Sequence, residues 1–327
     1  MSSSGPAADA VTAPFVEVDV DLPGRREGKV RVSYALGEGR RLFVTTDRLS
    51  AFDRIIAGVP YKGQVLNQLS AWWFDKTADV VANHMVAVPD PNVLVAVDAR
   101  PLPVEVVVRG YITGVTATSL WMPYARGERD LYGHRLPDGL AKNEALPDPL
   151  ITPTTKPPAG ADHHDEPLSS ADVVARGLVG AADWELIRSS ALELFRRGQL
   201  LAEEAGLILV DTKYEFGLDG DGAVLLIDEL HTPDSSRYWM LDSYAARLGA
   251  GEEPESLDKE VVRRALADAG FNGDGPVPTL PDDVWTATSA RYIDAFQRIT
   301  GLTFVPGEYP VAARIGDRLE GWQEAYG

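Results

Sequence analysis

The chain has 327 residues, 45% apolar and 24% charged, with 31 Lys and Arg against 49 Asp and Glu, a formal net charge of −18. That is the mix of an ordinary globular protein of one large domain or two lobes, and its acidity repels a phosphate backbone, so nucleic acid is not an expected partner. The absence of cysteine excludes disulfides, thiolate zinc sites and cysteine nucleophiles, and no apolar run approaches the roughly 18 residues of a membrane span.

Met1–Pro14 is small and polar and reads as a disordered tail. Residues 15–108 read as a strand-rich lobe. In Gly28–Leu36, Val30, Val32, Tyr34 and Leu36 point one way and Lys29, Arg31 and Ser33 the other. Gly37-Glu38-Gly39 predicts a turn, Arg40–Thr46 a returning strand, and Val104–Arg109 a further apolar strand. Residues 109–327 read as a mixed lobe, so that the whole is α+β with a cleft between the two lobes. It includes a long irregular stretch, Tyr132–Leu168, rich in Pro and Gly, which reads either as a functional ordered loop or as disorder. A helix is predicted over Asp183–Ala205, with Ile187, Ala191, Leu194, Phe195 and Leu201 on one stripe and Gly206 as its stop. Leu207–Phe216 and Ala223–Leu230 read as a hairpin around Asp219–Gly222, and Asp282–Thr300 as a last helix stopped by Gly301.

Within this frame a few polar groups call for chemistry. Asp211, Lys213 and Glu215 share one face of a strand that follows the apolar run Leu207–Val210. They form either a solvated face with a local ion pair or a cation and phosphate site. Asp228 and Glu229 end the next apolar strand; whether Asp228 meets Lys213 depends on a register that a one-residue slip would invert. A carboxylate cluster there suits Mg²⁺, which bridges nucleotide phosphates. Thr232–Arg237 packs hydroxyls, a carboxylate and an arginine into six residues, and Arg presents a planar fork to phosphate. Lys29 and Arg31 follow Gly28, but the Walker pattern is absent. Arg109-Gly110-Tyr111-Ile112-Thr113-Gly114 ends a strand with glycines that allow close approach. The sequence has neither a Gly-x-Ser-x-Gly elbow nor a His-Glu-x-x-His pair. The adjacent His163 and His164 lack metal spacing.

Taken in order, Gly28–Arg31, Thr46–Asp53, Lys62–Leu66, Arg109–Gly114, Thr152–Lys156, Asp211–Gly217 and Asp228–Arg237 resemble the SAICAR synthetase family. The resemblance runs from about residue 25 to the C-terminus. It implies a fold related to ATP-grasp and kinase-like architectures, with ATP between the lobes. It also implies an ATP-dependent ligase that joins the carboxylate of carboxyaminoimidazole ribotide (CAIR) to the amino group of L-aspartate through an acyl phosphate, in the cytoplasm, as a monomer or homodimer. Carried over by motif, Lys213, Glu215 and Asp228 are the expected catalytic groups, with Glu215 and Asp228 on Mg²⁺. Lys29, Arg31 and Lys213 are expected on the ATP phosphates. Arg109, Thr116, Asp234, Ser235 and Arg237 are expected on the ribotide, and Lys156 and Asp165 on the amino acid. The chain departs from the family pattern at Val32, where Asp is usual, at Val115, where Ser is common, and at Pro167, where Asn is usual. A relative serving nucleoside-antibiotic synthesis, and a nucleotide-binding regulator without catalysis, are the alternative readings.

Overall fold

A computed structural model describes residues 13–52, 54–115, 118–156, 166–271, 273 and 275–326. The chain begins with β1 (Arg26–Glu27), β2 (Arg31–Gly37), β3 (Arg40–Thr45), β4 (Arg48–Ala51) and β5 (Arg54–Gly58), then α1 (Lys62–Lys76). There follow β6 (Met85–Asp90), β7 (Val93–Val97), β8 (Arg100–Tyr111), α2 (Trp121–Ala125), β9 (Asp130–Leu131), β10 (His134–Arg135), β11 (Ala145–Ile151) and β12 (Thr154–Thr155). The rest is α3 (Ser170–Ala175), α4 (Ala181–Glu204), β13 (Leu207–Leu218), β14 (Val224–Ile227), β15 (Ser236–Met240), α5 (Leu241–Ala250), α6 (Glu260–Asp268), α7 (Asp282–Thr300) and α8 (Val311–Tyr326).

The first sheet is antiparallel, in the order β1-β2-β3-β7-β6. Its turn at Gly37-Glu38-Gly39 takes three successive positive φ angles (80°, 47°, 69°), which two glycines make inexpensive. The predicted alternation holds from Val32 on, where Val32 and Tyr34 are buried with Leu42, Val44, Val93 and Val95; Val30, expected on the same face, packs instead against the core of the second sheet. What covers this face is the far end of the chain, through Val311, Ile315 and Leu319 of α8. The expected strand at Gly28 starts only at Arg31, because residues 28–30 form the tight turn from β1; Lys29 lies on that exposed bend.

The second sheet has the order β11-β8-β13-β14, with β12 on β8 and β15 on β13. Helices α1, α4 and α7 cover one face, burying Trp73, Phe74, Ile187, Phe195 and Phe296 against Val104, Val106, Val108 and Tyr214. Helix α4 carries the predicted stripe and ends before Gly206, whose φ is +73°. The division expected after residue 108 falls inside β8, which pairs with β13 from Arg100 to Arg109. The Tyr132–Leu168 stretch is not wholly irregular, since it supplies β10, β11 and β12. Helix α1 has no counterpart among the predicted elements. It buries Lys62, Gly63, Gln64, Asn67 and Ser70 as well as its apolar residues, so it shows no amphipathic stripe.

The chain's end is locked to the first lobe by charge. Arg314 donates from Nε and Nη2 to Asp90 at 2.7 and 3.0 Å, and from Nη2 to Asn92 Oδ1 at 2.6 Å. The Asp90 side chain is 1% exposed, and Arg318 at 3.7 Å is too distant to replace the bidentate pair. Arg314→Ala therefore strands a buried carboxylate and should lower unfolding free energy by about 3 kcal/mol in urea titrations; a loss below about 1 kcal/mol would show that the pair does not hold α8.

Candidate active site

Strand β13 changes phase along its length. Leu207 and Leu209 face the helix-covered core, yet so do Tyr214 and Phe216. The pairing with β15 explains this: Leu209 opposes Tyr238 and Asp211 opposes Arg237, so Val210 is an extra residue, a β-bulge. Beyond the bulge Asp211, Lys213 and Glu215 share the other face. Across on β8 they meet Arg109, Val107 and Glu105 in register.

Two charge clusters result. In the first, Lys213 Nζ donates to Glu105 Oε1 and Glu215 Oε1, each at 2.8 Å, while Lys156 Nζ holds Glu215 Oε2. Burial alone raises the Glu215 pKa, but Lys213 and Lys156 outweigh it and bring it down to about 2. Burial likewise opposes the charge on Lys213, and Glu215 and Glu105 reverse that, raising it well above an ordinary lysine. Beside them Arg31, at the start of β2, pairs with Asp228 and, at 2.9 Å, with Glu229. Asp228 sits just after β14 in a left-handed conformation, φ 72°. Lys156, Glu215 and Asp228 line one cavity of about 200 Å³ between the sheets, whose opposite wall includes Phe43, Val97 and Ala99. Among the described residues no three acidic or histidine side chains converge on one point. A cation here relies on one or two carboxylates, the number Mg²⁺ takes when phosphates supply other ligands, so the donor set fits it.

In the second cluster Asp211 lies between two arginines of neighbouring strands, Arg109 on β8 and Arg237 on β15. Arg237 Nη1 is 3.5 Å from Asp211 Oδ2. Arg109 is oriented by Thr152 Oγ1 at 2.8 Å and the Thr118 carbonyl at 3.0 Å. The loop before β15 brings Ser235 beside them. It is tied by Thr232 Oγ1, which accepts from the amides of Asp234 and Ser235 at 3.2 and 3.3 Å.

The structure thus joins Arg31, Lys156, Lys213, Glu215 and Asp228 in one group, and Arg109, Ser235 and Arg237 in another. Lys156, expected on the amino acid, stands with Glu215. Arg31 is engaged across the cleft by Asp228 and Glu229, which together with Glu215 and Asp234 offset the burial of its charge. The Asp234 side chain is 5% exposed and internally bonded, so its carboxylate does not face a ligand. Thr116, Asp165, His163 and His164 lie outside the described residues. Glu105 and Tyr292 join the site without a role expected for them, as do Glu229, known only as the neighbour of Asp228, and Lys62, known only as the head of the Lys62–Leu66 motif; for Glu105 the visible signal is a glutamate inside the apolar strand Val104–Arg109.

A SAICAR synthetase family model matches residues 25–280. The chain belongs to the SAICAR synthetase family. A phosphoribosylaminoimidazole-succinocarboxamide synthase of Legionella pneumophila is 48% identical over 316 residues, 94% of this chain and 99% of that one. A provisionally named synthase 2 of Mesorhizobium japonicum is 50% identical over 286 residues, 88% and 91% of the two chains. SAICAR synthase of Saccharomyces cerevisiae, solved with SAICAR, superposes with a TM-score of 0.76 at 33% identity, covering 89% of this chain and all of that one. The SAICAR synthetase fold is therefore the fold of this chain, and the chain is an enzyme, an amide-forming ligase of purine biosynthesis. Two departures from the SAICAR synthetase pattern find a structural reason. Val32 is fully buried in the first-lobe core. Pro167 opposes Thr154 at a position flanked by the bonds Thr155 N to Glu166 O and Leu168 N to Pro153 O, so no proline N–H is required. Val115 is exposed, and nothing in the structure explains it.

Beneath the loop, His231 is fully buried, with Nε2 2.6 Å from Tyr214 Oη. Burial pushes its pKa down to about 3. The unfolded chain therefore binds a proton near pH 6.5 that the native state refuses until about pH 3, and stability falls as pH drops through that window. His231→Gln should make the slope of unfolding free energy between pH 6 and 4.5 shallower by about 1 kcal/mol per pH unit; an unchanged slope would show that His231 is not the group responsible.

Proposed function

We propose that this chain joins the carboxylate of CAIR to the amino group of L-aspartate at the expense of ATP, giving SAICAR, ADP and phosphate. One observation carries the reading: along a single strand face, Asp211 with its two arginines and Glu215 with its two lysines lie only about 13 Å apart at the ordinary rise per residue. A ribotide phosphate on Arg109 and Arg237 leaves the rest of that molecule directed along β13 toward Lys213 and the cavity. The cavity wall formed by Phe43, Val97 and Ala99 suits a purine base, with the triphosphate running toward Lys156, Lys213 and Asp228.

A carboxylate is a poor electrophile because hydroxide or oxide is a poor leaving group. The CAIR carboxylate oxygen attacks the γ-phosphorus, the bond to the β-phosphate bridging oxygen breaks, and ADP leaves with that electron pair. The aspartate amine then adds to the acyl carbon, and the tetrahedral adduct expels inorganic phosphate as the amide forms. Positioning and charge neutralisation are the protein's share. Lys213 and Lys156 stand where the transferring phosphoryl group carries its charge, and Lys29 and Arg31 approach the phosphates from the β1–β2 turn. Glu215 and Asp228 would hold Mg²⁺, which when bound neutralises phosphate charge. The charge state that keeps Glu215 ionised throughout the physiological range serves this role. Ser235 holds the ribotide beside the arginines. The enzyme acts in the cytoplasm, as a monomer or homodimer.

Purified protein incubated with ATP, Mg²⁺, CAIR and L-aspartate should release ADP and form a product with the mass of SAICAR. Glu215→Gln should lower kcat by at least about 100-fold with the melting temperature nearly unchanged. ATP turnover without the succinocarboxamide product would refute the substrate assignment, and a fully active Glu215→Gln would remove Glu215 from the site.

A further inference from the structure

Helix α7 lies beyond residues 25–280, the span matched by the family model, yet it reaches the loop that carries Ser235 and Arg237. Tyr292 is fully buried on that helix, and its hydroxyl donates to Asp234 Oδ1 at 2.5 Å. The other oxygen is held from α1: Lys62, whose side chain is 0% exposed, donates from Nζ to Asp234 Oδ2 at 2.7 Å and to the Arg48 carbonyl at 3.0 Å. Lys62 Nζ also lies 5.8 Å from the centre of the Tyr292 ring, so the three side chains form one packed unit. Burial by itself opposes the Asp234 charge, and Lys62 with Lys259 restores it.

Asp234 does not line the cavity, and with its two oxygens taken by α7 and α1 it anchors its own backbone. The amide of Asp234 donates to Thr232 Oγ1, as does that of Ser235. Ser236 Oγ donates to Thr212 Oγ1 at 2.8 Å, which hands the loop over to β15 and sets Arg237 beside Asp211. Fixing Asp234 therefore fixes the residues on either side of it.

We propose that Tyr292 is a positioning residue for the ribotide: with Lys62 it clamps Asp234, and the clamped loop presents Ser235 and Arg237 to the ribotide phosphate. This rests on the reading above that the loop meets the ribotide. A phenylalanine at 292 keeps the ring's packing and removes one hydrogen bond to a buried carboxylate. The freed Oδ1 then seeks another donor, and the loop moves with it.

The test is Tyr292→Phe, with Lys62→Met as a second variant that removes the other donor from a different helix. Both should raise KM for CAIR by about tenfold, the loss of one hydrogen bond to a charged group, while KM for ATP stays within about twofold. In parallel, ribose 5-phosphate is titrated calorimetrically into wild type and variants, which reads the loop whether or not the wild type makes the succinocarboxamide. Affinity about tenfold weaker in the variants supports the proposal. Lower melting temperatures with unchanged KM and unchanged ribose 5-phosphate affinity mean a structural role only and overturn it. Sugar-phosphate binding that is absent from wild type and variants alike also overturns it. A wild type that binds the sugar phosphate but forms no product instead counts against the CAIR assignment alone.

Discussion

Strand β13 has to satisfy two incompatible demands, and one extra residue reconciles them. Its early residues Leu207 and Leu209 are needed in the core under α4, and so are Tyr214 and Phe216 later on. A strict two-residue period would carry the face of Leu207 and Leu209 straight on to Asp211, Lys213 and Glu215. Three ionic groups would then enter a core built from Leu194, Phe195 and Trp73, at several kcal/mol each. The bulge at Val210 reverses the phase. The arginines of β8 and β15 then flank Asp211, and Glu105 comes within reach of Lys213. The cleft chemistry depends on that single insertion more than on any one charged residue.

The chain as a whole is strongly acidic, yet its cleft gathers Arg31, Lys156, Lys213, Arg109 and Arg237. Arg109 is oriented by Thr152 and the Thr118 carbonyl and each of the others is held by a carboxylate, and half-buried ion pairs of this kind contribute little net stability once desolvation is counted. What they supply is preorganisation. Long cationic side chains are held in fixed positions beside the strand face, Lys156 on the cavity itself, so an arriving anion meets them already in place. The same pairing works in reverse on Glu215, whose lysines keep it ionised far below neutral pH. A polyphosphate entering the cavity exchanges one set of negative partners for another and does not have to order the cations first.

The fold was legible where one face of an element is buried and the other is wet. The helices α4 and α7 meet that condition; in β2 the alternation is one of residue type, Val32 and Tyr34 against Arg31 and Ser33, because Ser33 on the second face is buried as well. Helix α1 does not, because Gly63 lies against the Thr45 carbonyl and would place a Cβ 2.5 Å from it, while Lys62 and Gln64 are enclosed as fully as Leu66. In the site, strand parity was enough to group Asp211, Lys213 and Glu215. The partners were not legible, since they come from far along the chain: Arg31 and Asp228 are 197 residues apart, Lys62 and Asp234 172. Asp234 looked like a ligand-binding carboxylate for the same reason; hydrogen-bonding capacity is written in the residue type, but whether it is spent internally is decided by tertiary packing.

Nor did the pattern of residues after 280 indicate that they brace the cleft. Helix α7 packs into the second-lobe core and α8 onto the first sheet. The segment between them is fastened on the way, Phe304 in the second-lobe core, Gly307 N on Gln64 Oε1 at 2.7 Å and Tyr309 Oη on Asp47 Oδ2 at 3.1 Å. Asp47 in turn accepts from the amides of Phe15 and Gly63, each at 2.8 Å, which joins the start of the chain, α1 and the C-terminal segment at one buried carboxylate. The sheets are also connected where Val97–Ala99 passes from β7 to β8 and where Ala82 and His84 hydrogen-bond to Leu226. Widening the cleft means breaking contacts along this strap, the Arg314–Asp90 pair among them. The geometry around the cavity is therefore set largely by folding, and substrate binding energy need not be spent on assembling it.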